Sequence, residues 1–229
     1  MMNDKMHPIG KWQTDFGFTL IEMIGVLAVI AIFVALLLPK VFEIMAESKT
    51  NAVVAAVALY KTAIVKYYAD IGSVLPLDAN GEPAVETTGD SANPLSLPAR
   101  LVLDASDPLN TGVNGWANFN GPYLTKFSTN APPGFGSSMR MRATNPAAYG
   151  TVVAAGDRGW DFDDDGNNDI PTNANVVFWR VHDVERADFE RVDAVLDQGI
   201  GATFGERRVR GKVKYVTADK RLKIYLTHK

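Results

Sequence analysis

Cysteine is absent from the 229 residues of this sequence, and histidine occurs only three times. Without cysteine, the chain has no thiol catalysis and no disulfide bond to stabilise a domain outside the cytoplasm. The histidines His7, His182 and His228 do not have the spacing of zinc ligands. The sequence also lacks a nucleophile elbow and a phosphate-binding P-loop. We therefore predict that the protein is not an enzyme.

Neither sign of charge is in large excess. The chain has 23 Lys and Arg residues and 26 Asp and Glu residues, which gives a formal net charge of −3. This balance provides no general basic footprint for nucleic acid, so nucleic acid is not predicted as a partner. The length suits one medium-sized domain together with a membrane anchor.

A long apolar run begins close to the N-terminus. Residues Phe18 to Leu38 contain no Lys, Arg or Asp, and their single ionisable side chain is Glu22. As a helix rising about 1.5 Å per residue, this run spans about 31 Å, the thickness of a bilayer core. One charge at the centre of such a helix costs roughly 2.5–3.5 kcal/mol on insertion scales, and less near an end. Glu22 is therefore either a carboxylate that reaches the interface or one that awaits a cation from another chain.

The residues that open this run carry a family resemblance. The sequence Gly17-Phe18-Thr19-Leu20-Ile21-Glu22 resembles the cleavage and methylation signature of type IV prepilins and of type II secretion pseudopilins. The resemblance implies that a membrane-embedded prepilin peptidase cuts after Gly17 and that Phe18 becomes an N-methylated N-terminus. It also implies that Glu22 pairs with the N-terminal amine of a neighbouring subunit during assembly.

The segments on either side of the apolar run agree with this interpretation. Residues 1–17 are short and polar, and they lack the apolar core and small-residue cleavage site of a secretory signal. Pro39 stands where the family often has a kinking proline, and it should bend the helix rather than end it. Beyond it, apolar residues recur at helical spacing until Gly72, a plausible helix stop. These residues are Val53, Val57, Tyr60, Ile64, Tyr67 and Tyr68.

The remaining residues predict a loop-rich region followed by a small sheet. Pro, Gly, Asn and Ser interrupt residues 73–148, where a short helix is predicted at Leu97–Leu103. Strands are predicted at 150–155 and 176–182, and a helix at Glu185–Leu196. A hairpin is predicted from Arg208–Val216 and Leu222–Leu226. Its predicted outward residues form a basic surface, which is interpreted either as a solvated face or as an attraction for acidic partners or nucleic acid: Lys212, Lys214, Lys220, Arg221 and Lys223.

One acidic segment has the pattern of a metal-binding loop. Oxygen-bearing residues alternate along it, and Gly166 allows a sharp turn, as in the first half of an EF-hand loop. Thr172 stands where that loop has its terminal bidentate acid, so a remote ligand such as Asp157 or Asp183, or water, would complete the shell. The alternative is a flexible acidic loop in water. Calcium is the predicted cofactor, with these ligands: Asp161, Asp163, Asp165, Asn167 and Asp169.

Together these patterns predict an α+β, pilin-like fold, in which a long N-terminal helix packs on a small antiparallel sheet. The predicted regions are a leader at 1–17, a transmembrane half-helix at 18–38, an amphipathic half-helix at 39–70, a loop-rich variable region at 71–148, and a C-terminal sheet region with the acidic loop at 149–229.

The resemblance implies a subunit of a type IV pilus-like or type II secretion pseudopilus filament. Its implied partners are the prepilin peptidase and methylase, other pilin or pseudopilin subunits, and the inner membrane. It would be a single-pass inner-membrane protein with its globular domain outside the cytoplasm, and later part of a periplasmic or cell-surface filament. Two alternatives stay open: the major pilin of a surface fibre, and a membrane-anchored calcium-binding module that never polymerises.

Overall fold

The computed structural model describes residues 17–78, 83, 96–104, 118–144, 159–171 and 174–229. In these parts, four helices and four strands follow one another in the order α1-α2-β1-β2-α3-α4-β3-β4. The chain divides into two compact units, residues Met1–Ile44 and Met45–Lys229. The sheet and helices α2 to α4 belong to the second unit.

Helix α1 runs from Leu20 to Ile71 and contains Pro39 in its interior. It ends where Gly72 adopts a positive φ of 77° and its N–H donates to the Tyr68 carbonyl at 2.7 Å. Glycine adopts this left-handed conformation without the steric penalty of a Cβ atom. The helix therefore stops at the residue that the sequence indicated.

The sheet has the strand order β1-β2-β4-β3, and every neighbouring pair is antiparallel. Its strands are β1 (Met139–Thr144), β2 (Val176–Val181), β3 (Val213–Val216) and β4 (Arg221–His228). Alternate side chains of each strand point to opposite faces. One face carries Trp179 and Ile224 into the main hydrophobic core, and the other carries Phe178 and Tyr225 into a smaller cluster.

Within the second unit, α1 supplies the helical side of the main core. Its buried residues recur at helical spacing, and the Tyr60 ring meets the Trp179 ring edge-on, with 5.5 Å between centroids. Helix α3 (Arg186–Leu196) packs on the sheet by stacking Phe189 on Tyr215, with centroids 5.1 Å apart. The short helices are α2 (Leu97–Val102) and α4 (Phe204–Arg207). The predicted α+β class, with a long N-terminal helix and a small antiparallel sheet, is confirmed.

Several local features differ from the sequence predictions. Strand β1 lies in the region predicted to be loop-rich, although Met139, Met141 and Ala143 alternate with arginines as a strand requires. The hairpin strands are β3 and β4, so the first strand begins at Val213 rather than at Arg208. The strand predicted at 150–155 lies outside the described residues.

The prediction of a basic surface on the hairpin is also partly wrong. Lys214 and Lys223 lie on the sheet face opposite the main core, but they are only 2% and 7% exposed. The Lys214 Nζ atom donates to the Gly159 carbonyl and lies 5.3 Å from the centre of the Trp160 ring. A segment remote in sequence therefore covers part of the face that alternation assigned to solvent.

Candidate functional site

The first candidate site is the segment around the predicted cleavage point. Gly17, Phe18 and Thr19 precede α1 and are exposed, and the Phe18 side chain is 81% exposed. Among the described residues other than its chain neighbours, no atom lies within 4 Å of the position where a Cβ would stand on Gly17. The described side of the predicted cut, at Phe18, is therefore exposed.

Glu22 is bound to its own helix start. Its carboxylate accepts hydrogen bonds from the Thr19 backbone N–H and from the Thr19 hydroxyl, both at 2.8 Å. The Glu22 N–H donates back to the Thr19 hydroxyl oxygen at 3.3 Å. This reciprocal arrangement is a capping box, which satisfies N–H groups that a helix start leaves unpaired. The sequence interpretation missed Thr19, although the Thr-x-x-Glu spacing before an apolar run is the signature of this cap.

The helix that follows is long and apolar enough to cross a membrane, by length and composition. Its apolar side chains from Leu20 to Leu38 are exposed in the first unit. The run ends at Pro39, after which Lys40 and Glu43 form an exposed ion pair at 2.6 Å. Charge therefore returns to the helix one residue beyond the proline.

The second candidate site is the acidic loop, which we define as residues 159–171. Asp161 is fully buried, and its two carboxylate oxygens accept from the N–H groups of Asp164 and Gly166, both at 2.8 Å. Gly166 has a φ of 88° and Asp164 a φ of 69°, which coils the chain around Asp161. The loop thereby has the tight turn expected at this glycine.

Three of the four predicted carboxylate ligands converge. Carboxylate oxygens of Asp161, Asp163 and Asp169 lie within 4.8 Å of one another. Asp165 is not in this group, and its carboxylate accepts from the backbone N–H of Asn167 at 2.7 Å and from the Asn167 side-chain amide at 3.0 Å. Three carboxylate oxygens at this separation fit a hard divalent cation such as calcium as a partial shell.

A positively charged side chain of the protein, Arg210, already contacts two carboxylates of the acidic loop. The Arg210 Nε atom lies 3.6 Å from the Asp161 carboxylate, and its guanidinium also forms an ion pair with Asp164. Backbone pairing places it there, since the Gly211 N–H donates to the Asp161 carbonyl at 2.5 Å. The hydrogen bond from Arg210 lowers the pKa of the Asp164 carboxyl. The sequence interpretation missed Arg210, because nothing local indicates that it meets a loop some forty residues earlier.

Aromatic packing holds the acidic loop on the sheet. Trp160 is 1% exposed and packs with Phe178 and Ile170, and the Phe162 ring lies 4.8 Å from the Tyr225 ring. Of the two proposed remote ligands, Asp183 instead accepts from the Ser137 hydroxyl. Asp157 lies outside the described residues, as does Thr172.

Comparison with known proteins identifies the N-terminal segment. Residues 13–38 match the family model described as the prokaryotic N-terminal methylation motif. This motif is the prepilin-type cleavage and methylation signal, so the resemblance stated from the sequence is confirmed for this segment. No curated protein and no solved structure matches the chain. The chain therefore carries a prepilin-type signal at the start of an α+β layout that fits a pilin-like fold.

Proposed function

We propose that this chain, which carries the prokaryotic N-terminal methylation motif, is a structural subunit of a type IV pilus-like or type II secretion pseudopilus filament. A prepilin peptidase cuts it after Gly17, and Phe18 becomes the methylated N-terminus. The apolar part of α1 first anchors the subunit in the inner membrane and then packs against other subunits. The sheet domain lies outside the cytoplasm.

One coincidence carries this proposal. The motif at residues 13–38 ends where the apolar run without Lys, Arg or Asp ends, just before Pro39 and Lys40. Apolar side chains exposed over this length are stable only in lipid or against other apolar helices. A signal for proteolytic release from the leader, joined to such a helix, supports a protein that first resides in a membrane and then assembles.

The capping box suggests how Glu22 stays compatible with lipid. Two hydrogen bonds from Thr19 partly compensate the carboxylate, whose removal from water is otherwise expensive. Cleavage after Gly17 would create an amine at Phe18, so a neighbouring subunit could bring a positive charge to Glu22. Such a buried pair is best regarded as a device that sets register, because desolvation offsets much of its attraction.

The mature N-terminus tests the proposal directly. Mass spectrometry of the protein purified from membranes should find a chain that begins at methylated Phe18. A functional protein that retains residues 1–17 would contradict the proposal. If the protein is processed, two observations distinguish the filament types. Abundance in sheared surface fibres would favour a major pilin, whereas co-purification with a secretin-based secretion machine would favour a pseudopilin.

We further propose that the acidic loop binds calcium, with Asp161, Asp163 and Asp169 as its carboxylate ligands. The convergence of these three carboxylates supports the site. Calcium would bring positive charge to carboxylates that repel one another. Arg210 compensates only part of this negative charge, because its ion pairs are with Asp161 and Asp164.

Asp163→Asn tests this calcium site. We expect calcium to raise the melting temperature of the wild-type protein, and we expect this increase to be largely lost in Asp163→Asn, because a converging ligand charge is removed. Asp165→Asn is the matched control, since Asp165 lies outside the converging group, and it should retain most of the increase. Thermal unfolding in chelator and in excess calcium measures both. A wild-type protein with no calcium-dependent shift would refute the site.

A further inference from the structure

The outer face of the sheet, opposite the main core, carries an unusual row of positive charges. Arg140 pairs directly with Arg180 across β1 and β2, Arg180 pairs with Lys223 on β4, and Lys223 pairs with Lys214 on β3. One cation from each of the four strands therefore stands in a single line. Side chains directly opposite in a sheet are about 5 Å apart at Cβ, and like charges in such positions destabilise the pairing.

The two ends of this row differ in their exposure. Lys214 and Lys223 are covered, whereas Arg140 is exposed and Arg180 and Arg221 are partly exposed. Among the described residues, Arg140 forms no ion pair, and Arg221 pairs only with Asp219. We call Arg140 and Arg221 the cationic edge.

The same positive charges affect the pKa of a nearby histidine, His182. Burial lowers the pKa of His182, and the positive charges of Arg180, Arg221 and Arg140 lower it further. Asp219 acts in the opposite direction, and its effect is the smallest of these. Three cations therefore act together on His182, in a chain whose net charge is −3.

The acidic loop offers a surface of the opposite charge. Asp163, Asp165 and Asp169 are exposed, and no described Lys or Arg lies within ion-pair distance of any of them. Among the described residues, they accept hydrogen bonds from backbone N–H groups and from the Asn167 amide. Aromatic packing of Trp160 and Phe162 on the sheet fixes the position of these charges.

We propose that the cationic edge of one copy of this chain binds the acidic loop of the next copy through Asp165, the exposed carboxylate outside the group proposed to bind calcium. This inference rests on the proposed function, because it describes a contact between sheet domains within the filament. The contact joins two different surfaces, so it is heterologous and repeats from copy to copy as a filament requires. Exposed ion pairs contribute little each, so the contact sets the orientation and register of subunits whose helices supply the affinity.

The absence of cysteine permits a clean test by cross-linking. Arg140→Cys and Asp165→Cys are introduced into separately tagged full-length copies, which are co-expressed and oxidised in the membrane. We expect a disulfide-linked pair that contains both tags, and little product from either variant alone. The matched control replaces Arg140→Cys with Lys126→Cys, an exposed cation on the segment before β1. Equal product with the control, or no product, would overturn the proposal.

Two further measurements test whether the contact repeats from copy to copy and whether it depends on charge. A full-length chain that carries both Arg140→Cys and Asp165→Cys should give a ladder of multimers, and a product that stops at the dimer would overturn the repeating contact. Charge exchange by Arg140→Asp together with Asp165→Arg should restore the filament yield that either change alone lowers severalfold.

The same experiments separate this inference from the proposed function. A processed protein that forms filaments insensitive to both single charge changes refutes the contact but leaves the filament role intact. A protein that is neither processed nor polymerised refutes the filament role itself. Retention of a short DNA duplex by the wild type but not by Arg140→Asp, without any cross-link between copies, would assign the cationic edge to a nucleic acid and overturn the contact.

Discussion

Asp193 illustrates how strongly position can alter a single residue. It lies on α3 and is 2% exposed, and one of its carboxylate oxygens has no hydrogen-bond partner among the described residues. Burial raises its pKa to about 7, and the charges of Asp197 and Glu190 add to this effect. The Arg207 guanidinium, with Nη1 4.0 Å from the carboxylate, opposes the increase without cancelling it.

This raised pKa predicts a pH dependence of stability. The folded state holds the proton of Asp193 more tightly than the unfolded state does, so its contribution to the free energy of unfolding is fully present at about pH 4 and is lost as the pH rises through about 7. Asp193→Asn removes the titrating group. We expect the variant to be more stable than the wild type at pH 8, by on the order of 1–3 kcal/mol, and to differ little at pH 4.

Urea unfolding of the detergent-purified protein between pH 4 and 8 measures this difference. Asp188→Asn, in the first turn of the same helix, is the control and should leave the slope between pH 5 and 7 unchanged. A wild-type protein whose stability does not fall over that range would contradict the prediction.

At the scale of elements, the loop from Phe119 to Leu124 follows α2 in sequence and makes hydrogen bonds to both α1 and α2. The Tyr123 hydroxyl donates to the Asp70 carboxylate of α1 at 2.7 Å, and the N–H groups of Tyr123 and Leu124 donate to the Leu101 carbonyl of α2 at 2.8 Å. The Tyr123 ring meets Tyr67 edge-on with centroids 5.7 Å apart. The C-terminal end of α1 is therefore held by a segment that forms no strand or helix of its own.

Tyr123→Phe should weaken this connection while keeping the ring. Burial and the neighbouring Asp70 carboxylate raise the pKa of Tyr123 to about 12, so the hydroxyl remains a donor at neutral pH. We expect a loss of about 1 kcal/mol in the free energy of unfolding, because Asp70 is only partly buried and regains water. Urea titration of the detergent-purified protein provides the measurement.

Tyr68→Phe is the matched control, since the Tyr68 hydroxyl has no hydrogen bond among the described residues and its ring should pack unchanged. Equal losses in the two variants would show that the Tyr123–Asp70 bond contributes nothing specific.

At the scale of the whole molecule, Glu22 should distinguish assembly from simple anchoring. Glu22→Gln keeps a side chain of the same shape that can still cap α1 but removes its negative charge. If the amine of a neighbouring subunit needs that charge, filament yield should fall at least tenfold while the amount of membrane protein stays unchanged. Electron microscopy and quantification of sheared filaments measure this effect.

Glu43→Gln removes the first acidic charge after Pro39 and serves as the control, because its partner Lys40 lies on the same helix. Normal filaments from Glu22→Gln would exclude the role of Glu22 in register. A wild-type protein that stays monomeric in the membrane would instead support an anchored module.

The sequence by itself determined the features that depend on neighbouring residues. The motif around Gly17 and Glu22, the apolar run and the helical spacing from Val53 to Tyr67 all lie within α1 or in the three residues before it. Helix periodicity and the φ of Gly72 need no distant partner, so α1 was readable from the chain. The signal for β1 was also present in its alternation, but two arginines in six residues obscured it.

Only the tertiary structure decided which residues distant in sequence contact one another and which side chains are covered. Alternation correctly placed Lys214 and Lys223 on the outer face, but the covering of that face depends on a loop about fifty residues away from Lys214. In the same way, a long-range backbone hydrogen bond from Gly211 placed Arg210 beside Asp161, and strand pairing aligned four cations across the sheet. Burial and charge contacts are properties of long-range packing, which local sequence periodicity does not encode.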